Sequence, residues 1–147
     1  MGICEVEYKN SLSVNEYNFL RKSVGWKEVS IKQAKIGINN SAYLVTAVIG
    51  DKTIGMARVV SDGGYYVLIV DVIVLPEYQN KGIGKTMMNM IMEYIDKSVS
   101  KGEEVFVNLM SAKGRESFYK QFGFKERPDG KVGAGMTRWV KNGDSKP

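Results

Sequence analysis

Hydrophobic residues run from Tyr66 to Val70, resume at Val72 after Asp71, and stop at Leu75 before Pro76. A near-continuous apolar run of this kind is the pattern of a strand buried on both faces. Pro76 has no N–H to give to a ladder and ends it. From Ile83 the period changes. Ile83, Met87, Met90, Ile91, Tyr94 and Ile95 recur at helical spacing, with Lys85, Asn89, Glu93 and Asp96 on the other side. The pattern predicts a helix from Ile83 to about Val99, fed directly by the strand.

The same reading covers the rest of the chain. Residues 3–8 read as a first strand. Ser13-Val14-Asn15-Glu16 is a capping box, with Leu12 and Tyr17 placed to form its hydrophobic staple. The helix it opens runs to about Ser23, with Val14, Tyr17, Leu20 and Val24 on one face. Ser30-Ile31-Lys32-Gln33 opens a shorter helix that ends near Asn39 and Asn40. Trp26 sits in the loop between them, where a core anchor and a pocket wall are equally open readings. Residues 42–49 and 53–60 are apolar and β-branched, divided by the turn Gly50-Asp51-Lys52 and followed by Asp62-Gly63-Gly64. With residues 65–75 they form an antiparallel meander. Residues 104–110 are the next strand, and a strand–helix–strand unit of this length makes a parallel crossover. Residues 111–124 read as a short helix ended by Gly123 at its C′ position. In that helix Phe118 and Phe122 face inward. Residues 132–140 read as a final strand and 141–147 as a loose polar tail. The expected fold class is therefore α/β of the α+β kind, a single domain over residues 1–147 whose mixed sheet is an antiparallel meander followed by a β-α-β crossover.

Composition narrows the chemistry. The 147 residues suit one domain with a proper core, and an apolar fraction of 44% is ordinary. One cysteine, Cys4, excludes an intrachain disulfide and suits a reducing compartment. No histidine is present, which excludes Ser-His-Asp and Cys-His catalysis and His-ligated metal. No signal peptide is read, and the longest apolar run is too short to span a bilayer. The expectation is a cytoplasmic protein with no membrane partner and no metal. The net charge of +5 comes from Lys and Arg spread between Lys9 and Lys146 without a dense run. A nucleic-acid partner is not expected from that distribution.

Gly82 to Thr86 open the helix, and a helix N-terminus with glycines is an anion site. Its first N–H groups lack partners, and the macrodipole adds partial positive charge. Lys81 and Lys85 add more. Gly84-Lys85-Thr86 looks like the end of a Walker A loop, but that motif needs glycine where Gln79 stands. A dinucleotide G-x-G-x-x-G fails at Met87. What remains is Gln-x-x-Gly-x-Gly, from Gln79 to Gly84, directly after a strand and a proline.

That loop, with the strand before it and the amphipathic helix after it, resembles the acetyl-CoA pyrophosphate loop of the GCN5-related N-acetyltransferases (GNAT). A second element in the right order, Tyr119 to Gly123-Phe124, is similar to the family's Tyr-x-x-x-Gly-Phe. The resemblance covers roughly residues 42–124. It implies that acetyl-CoA is the cosubstrate and a primary amine the acceptor, the acetyl group passing by direct attack in a ternary complex. It further implies that Val72, Ile73 and Val74 bond the pantetheine arm through the backbone. Gln79, Asn80, Lys81, Gly82, Ile83, Gly84 and Lys85 would form the diphosphate cradle, and Tyr119 would protonate the leaving thiolate. One departure is Ala112, where many members have an asparagine that contacts the pantetheine, so that contact is not carried over. With no histidine, the base that deprotonates the amine must be a carboxylate, a tyrosine or water. Asp71 is the candidate, because a charge inside an apolar strand is costly without a purpose or a partner. Pairing to a nearby Arg or Lys is an equally open reading. Some relatives use a strand glutamate a few residues earlier, where Leu68 stands. Other readings of the chain are a non-catalytic acyl-CoA-binding module and a basic nucleic-acid-binding domain. The acceptor is not legible, and a homodimer is left open.

Overall fold

Short connections between apolar strands allow only hairpins, and hairpins build most of the sheet. The structure, a computed structural model, describes residues 5–143. Its elements are β1 (Glu7–Lys9), α1 (Val14–Ser23), α2 (Ile31–Asn39), β2 (Tyr43–Ile49), β3 (Lys52–Ser61), β4 (Tyr66–Val74), α3 (Ile83–Ser98), β5 (Phe106–Leu109) and α4 (Glu116–Lys120). The described chain divides into two compact units, one up to Met110 and one from Ser111.

The first unit holds one mixed sheet in the order β1-β2-β3-β4-β5. β2, β3 and β4 form the expected antiparallel meander, β1 adds antiparallel to β2, and β5 adds parallel to β4 through the crossover helix α3. Both helix starts signalled by serine are present. Ser13 accepts from the Glu16 N–H, and the Glu16 carboxylate accepts from the Ser13 N–H. Ser30 accepts from the Gln33 N–H at 3.1 Å. The β1 reading is trimmed to Glu7–Lys9, with residues 3 and 4 outside the described part.

The sheet is covered on both sides. Gly55 and Arg58 lie three apart on β3 and so face opposite ways. A Cβ on Gly55 would sit 3.1 Å from both the Met87 side chain of α3 and the Ile73 carbonyl, so glycine eases the close approach of that helix. Arg58 reaches Tyr17 of α1 and the end of α2 on the other face. β3 is consequently buried at every position from Thr53 to Val59, and it is the strand buried on both faces. The sequence pattern assigned that place to β4. There Val67, Ile69 and Ile73 are buried, but Tyr66 and Leu68 are exposed. The difference is positional: β3 is the middle of five strands, whereas β4 begins where no helix covers its second face. On α3 the buried residues are Ile83, Met87, Met88, Ile91 and Ile95. Met88 thus joins the predicted face, while Met90 and Tyr94 are half-buried at its margins. No helix among the described residues is long and apolar enough to cross a membrane.

The second unit is mostly irregular. α4 is shorter than predicted because Gly114, at φ +88°, keeps the residues before it in a turn. Gly123 does adopt positive φ, +91°, one step beyond the expected C′ position. The predicted final strand over residues 132–140 is absent. Met136, Trp139 and Val140 are exposed there, and an apolar stretch becomes a strand only by pairing with another.

Candidate active site

Arg58 pairs with Val70 and Met56 with Ile73, so Ala57 alone stands opposite both Asp71 and Val72. This is a β-bulge on β4, and Asp71 takes it in the left-handed region at φ +54°. Just before the bulge β4 also loses its other neighbour. The parallel pairing with β5 runs from Tyr66 to Ile69 and stops there. Val70 to Val74 therefore have β3 on one side and an open flank on the other. The Leu75 N–H still bonds the Ile54 carbonyl at 2.8 Å. By the alternation of an antiparallel ladder, Val74 then turns its N–H and C=O to the open flank. The Gln79 Nε2 donates to that Val74 carbonyl at 2.9 Å, tying the loop to the strand.

The loop then turns through Asn80 at φ +63° and Gly82 at φ +83°. Glycine is the residue for which that conformation costs least. The first intrahelical bond of α3 is Thr86 N–H to the Gly82 carbonyl, 3.0 Å, so the N–H groups of Ile83, Gly84 and Lys85 have no carbonyl within the helix. Nothing lies within 4 Å of where a Gly82 Cβ would be. Lys81 is exposed, its Nζ 5.7 Å from the Tyr78 ring, and Lys52 approaches the same ring at 5.5 Å. The donors, the open approach and the positive charge fit a diphosphate. Val74 and residues 79–85 are thus brought together.

Asp71 is not a free carboxylate. Arg21 Nη1 lies 3.0 Å from Oδ1. Arg58 Nε and Nη2 lie 3.0 and 2.9 Å from Oδ2, and the Tyr17 hydroxyl donates to Oδ2 at 2.8 Å. Burial pushes the Tyr17 phenol above its usual range, and the neighbouring Asp71 charge adds to this, with Arg58 and Arg21 opposing. The group is mostly buried: the side chains of Asp71, Arg58 and Arg21 are 9%, 10% and 16% exposed. The pairing with nearby arginines, one of the two readings of Asp71, is present in the structure. Tyr17, Arg21 and Arg58 were not singled out from the sequence. The signals were there: Arg58 is a charge inside an apolar strand, and Arg21 is one turn beyond Tyr17 on the inward face of α1. Trp26 lies beside Arg21, whose Cζ is 5.4 Å from its ring centre.

In the second unit, Tyr119 is buried on α4 and packs edge-on against Phe118 and Phe124, with ring centres 5.0 and 6.4 Å apart. Burial pushes its phenol above the usual range, and Arg115 works against that.

Comparison with known proteins agrees with the architecture. Residues 40–126 match the acetyltransferase (GNAT) domain family. The uncharacterized N-acetyltransferase ycf52 of Pyropia yezoensis is 30% identical over 127 residues, which span 84% of this chain and 71% of that protein. Among solved structures, the probable acetyltransferase SA2161 of Staphylococcus aureus superimposes with a TM-score of 0.83 at 31% identity, over 92% of this chain and all of that one. The GNAT family protein SP0256 of Streptococcus pneumoniae gives 0.74 at 25% identity, over 94% of this chain and 98% of that one. The chain belongs to the GNAT acetyltransferase family, and its class of chemistry is acetyl transfer.

Proposed function

We propose that the protein moves the acetyl group of acetyl-CoA to a primary amine of a small molecule or peptide, by direct attack within a ternary complex. The observation that carries this reading is the open flank of β4 beside the N-terminus of α3. An extended pantetheine arm fits along Val72, Ile73 and Val74 as a short extra strand. The diphosphate fits the N–H groups of residues 83–85, with Gln79 and Asn80 shaping the turn and Lys81 and Lys85 supplying charge. Bound there, the thioester supplies an activated acetyl group, and a backbone N–H at the bulge stabilises the charge that develops on its carbonyl oxygen.

Tyr119 is assigned the proton that the departing thiolate takes up. Its raised pKa keeps it protonated at neutral pH, and an apolar surrounding raises the proton affinity of a thiolate as well. Asp71 receives a different role from that of a base. Both Asp71 oxygens are already occupied, by two guanidiniums and a phenol, so Asp71 fixes the arginines and the bulge. The amine then loses its proton to water before attack.

The test is release of free thiol from acetyl-CoA in the presence of a panel of amines, with binding followed by calorimetry. Release that depends on both acetyl-CoA and an amine is the expected result. Tight acetyl-CoA binding with no release for any amine would instead make the protein a non-catalytic acyl-CoA-binding module.

A further inference from the structure

Two guanidiniums share one carboxylate at the bulge, and they are not used equally. Arg58 is fully engaged: Nε and Nη2 contact Asp71, and Nη1 donates to the Gly37 carbonyl and to Ser41 Oγ, both at 2.9 Å. Arg21 donates through Nε to the Lys27 carbonyl at 2.8 Å and through Nη1 to Asp71. Its Nη2 has no partner among the described residues. The guanidinium lies close to two rings, its Cζ 5.6 Å from the Tyr17 centre and 5.4 Å from that of Trp26. The Arg21 side chain is 16% exposed.

The charges of Arg21, Arg58 and Asp71 sum to one excess positive charge, in a largely desolvated place one residue from Val72. A plain ammonium acceptor would meet that charge as repulsion. An acceptor bearing an anion near its amine would meet it as attraction, and the residual field would favour the neutral, nucleophilic form of the amine. A carboxylate suits the unused edge of a guanidinium fork.

We propose that the acceptor is an amino acid or another amine carrying a nearby carboxylate, and that Arg21 Nη2 binds this carboxylate. The proposal rests on the acetyl-transfer reading above and names its substrate class.

The test compares matched acceptors by thiol release: L-phenylalanine with phenethylamine, L-tyrosine with tyramine, L-lysine with cadaverine, and O-phosphoethanolamine with ethanolamine. In the wild type, at least one amino acid is expected to exceed its decarboxylated partner in kcat/KM by about tenfold or more, the scale of one charged hydrogen bond. Arg21→Gln should remove that preference, mainly through KM. Arg21→Lys, which keeps the charge and can keep Asp71 company, should retain part of the preference. It carries the same comparison if Arg21→Gln does not fold. Turnover of decarboxylated amines in preference to every amino acid overturns the proposal and leaves the acetyl-transfer reading standing. So does an equal fall for both members of each pair in Arg21→Gln, which would make Arg21 a purely structural residue. A preference for O-phosphoethanolamine above every carboxylate overturns the carboxylate assignment. No thiol release with any amine sinks both readings together.

Discussion

Arg58 and Asp71, on neighbouring strands, meet through a single oxygen: Nε and Nη2 of the guanidinium lie 3.0 and 2.9 Å from Oδ2. The other oxygen is left for Arg21, 3.0 Å away. One carboxylate thus joins α1, β3 and the β4 bulge. Asp71→Asn removes the charge but keeps a residue that tolerates the left-handed backbone. The expected cost is about 3 kcal/mol of unfolding free energy, the scale for stranding a buried charge, read from urea midpoints. Activity should fall by a similar factor at every pH. A loss confined to acidic pH would return Asp71 to the role of base.

Gly82→Ala should cost about 1–2 kcal/mol, since φ +83° is unfavourable to any side chain. Because nothing lies within 4 Å of the new Cβ, that cost is backbone strain and not a clash. Gly82→Trp fills the space before the free N–H groups and should abolish CoA binding. Normal binding of CoA by the tryptophan variant, measured by calorimetry, would place the diphosphate elsewhere.

Tyr119→Phe removes a hydroxyl and keeps the ring packed on Phe118 and Phe124. Melting temperature and acetyl-CoA affinity should be close to wild type, and turnover should fall on the order of a hundredfold, the low end for a general acid. Turnover near wild type with chemistry rate-limiting would make Tyr119 a packing residue.

Stability should decline at both ends of the pH scale, for different groups. Tyr17 and Tyr119 have folded pKa values above the unfolded value of about 10. Their contribution is complete below that value and is lost as pH rises through the folded pKa. For Glu16 burial alone would raise the pKa, but bonds from Thr53 and Ser13, with the Lys9 charge, lower it overall. Its contribution is present above the unfolded value of about 4.3 and is lost as pH falls through the folded one. Thermal melts across the range should show the alkaline decline reduced in Tyr17→Phe and the acidic one in Glu16→Gln.

What could be read from the sequence was what the chain settles locally. The Ser13–Glu16 box, the hairpin turns and the change of period between Val74 and Ile83 each lie within a few residues, and each is present. Partners distant in sequence were harder. Tyr17 and Asp71 are 54 positions apart, so nothing near either one announces the other. The exposure of Tyr66 and Leu68 depends on how far the helices extend over the sheet, which periodicity does not encode. Residues 132–140 have the composition of a strand, but a strand also needs a neighbour. Tyr119 shows the opposite limit: a buried tyrosine among phenylalanines reads the same whether it packs or transfers a proton.

Because β5 ends at its pairing with Ile69, the second half of β4 is left as a sheet edge. Edges of this kind accept another extended backbone. A bound molecule that completes the ladder would cover that edge and slow amide exchange at Val74. Occupancy at a hundred times the dissociation constant adds about 2.7 kcal/mol to apparent stability. The protein's lifetime in a cell would then follow the supply of the molecule that covers the edge, so a chain starved of it would be turned over sooner.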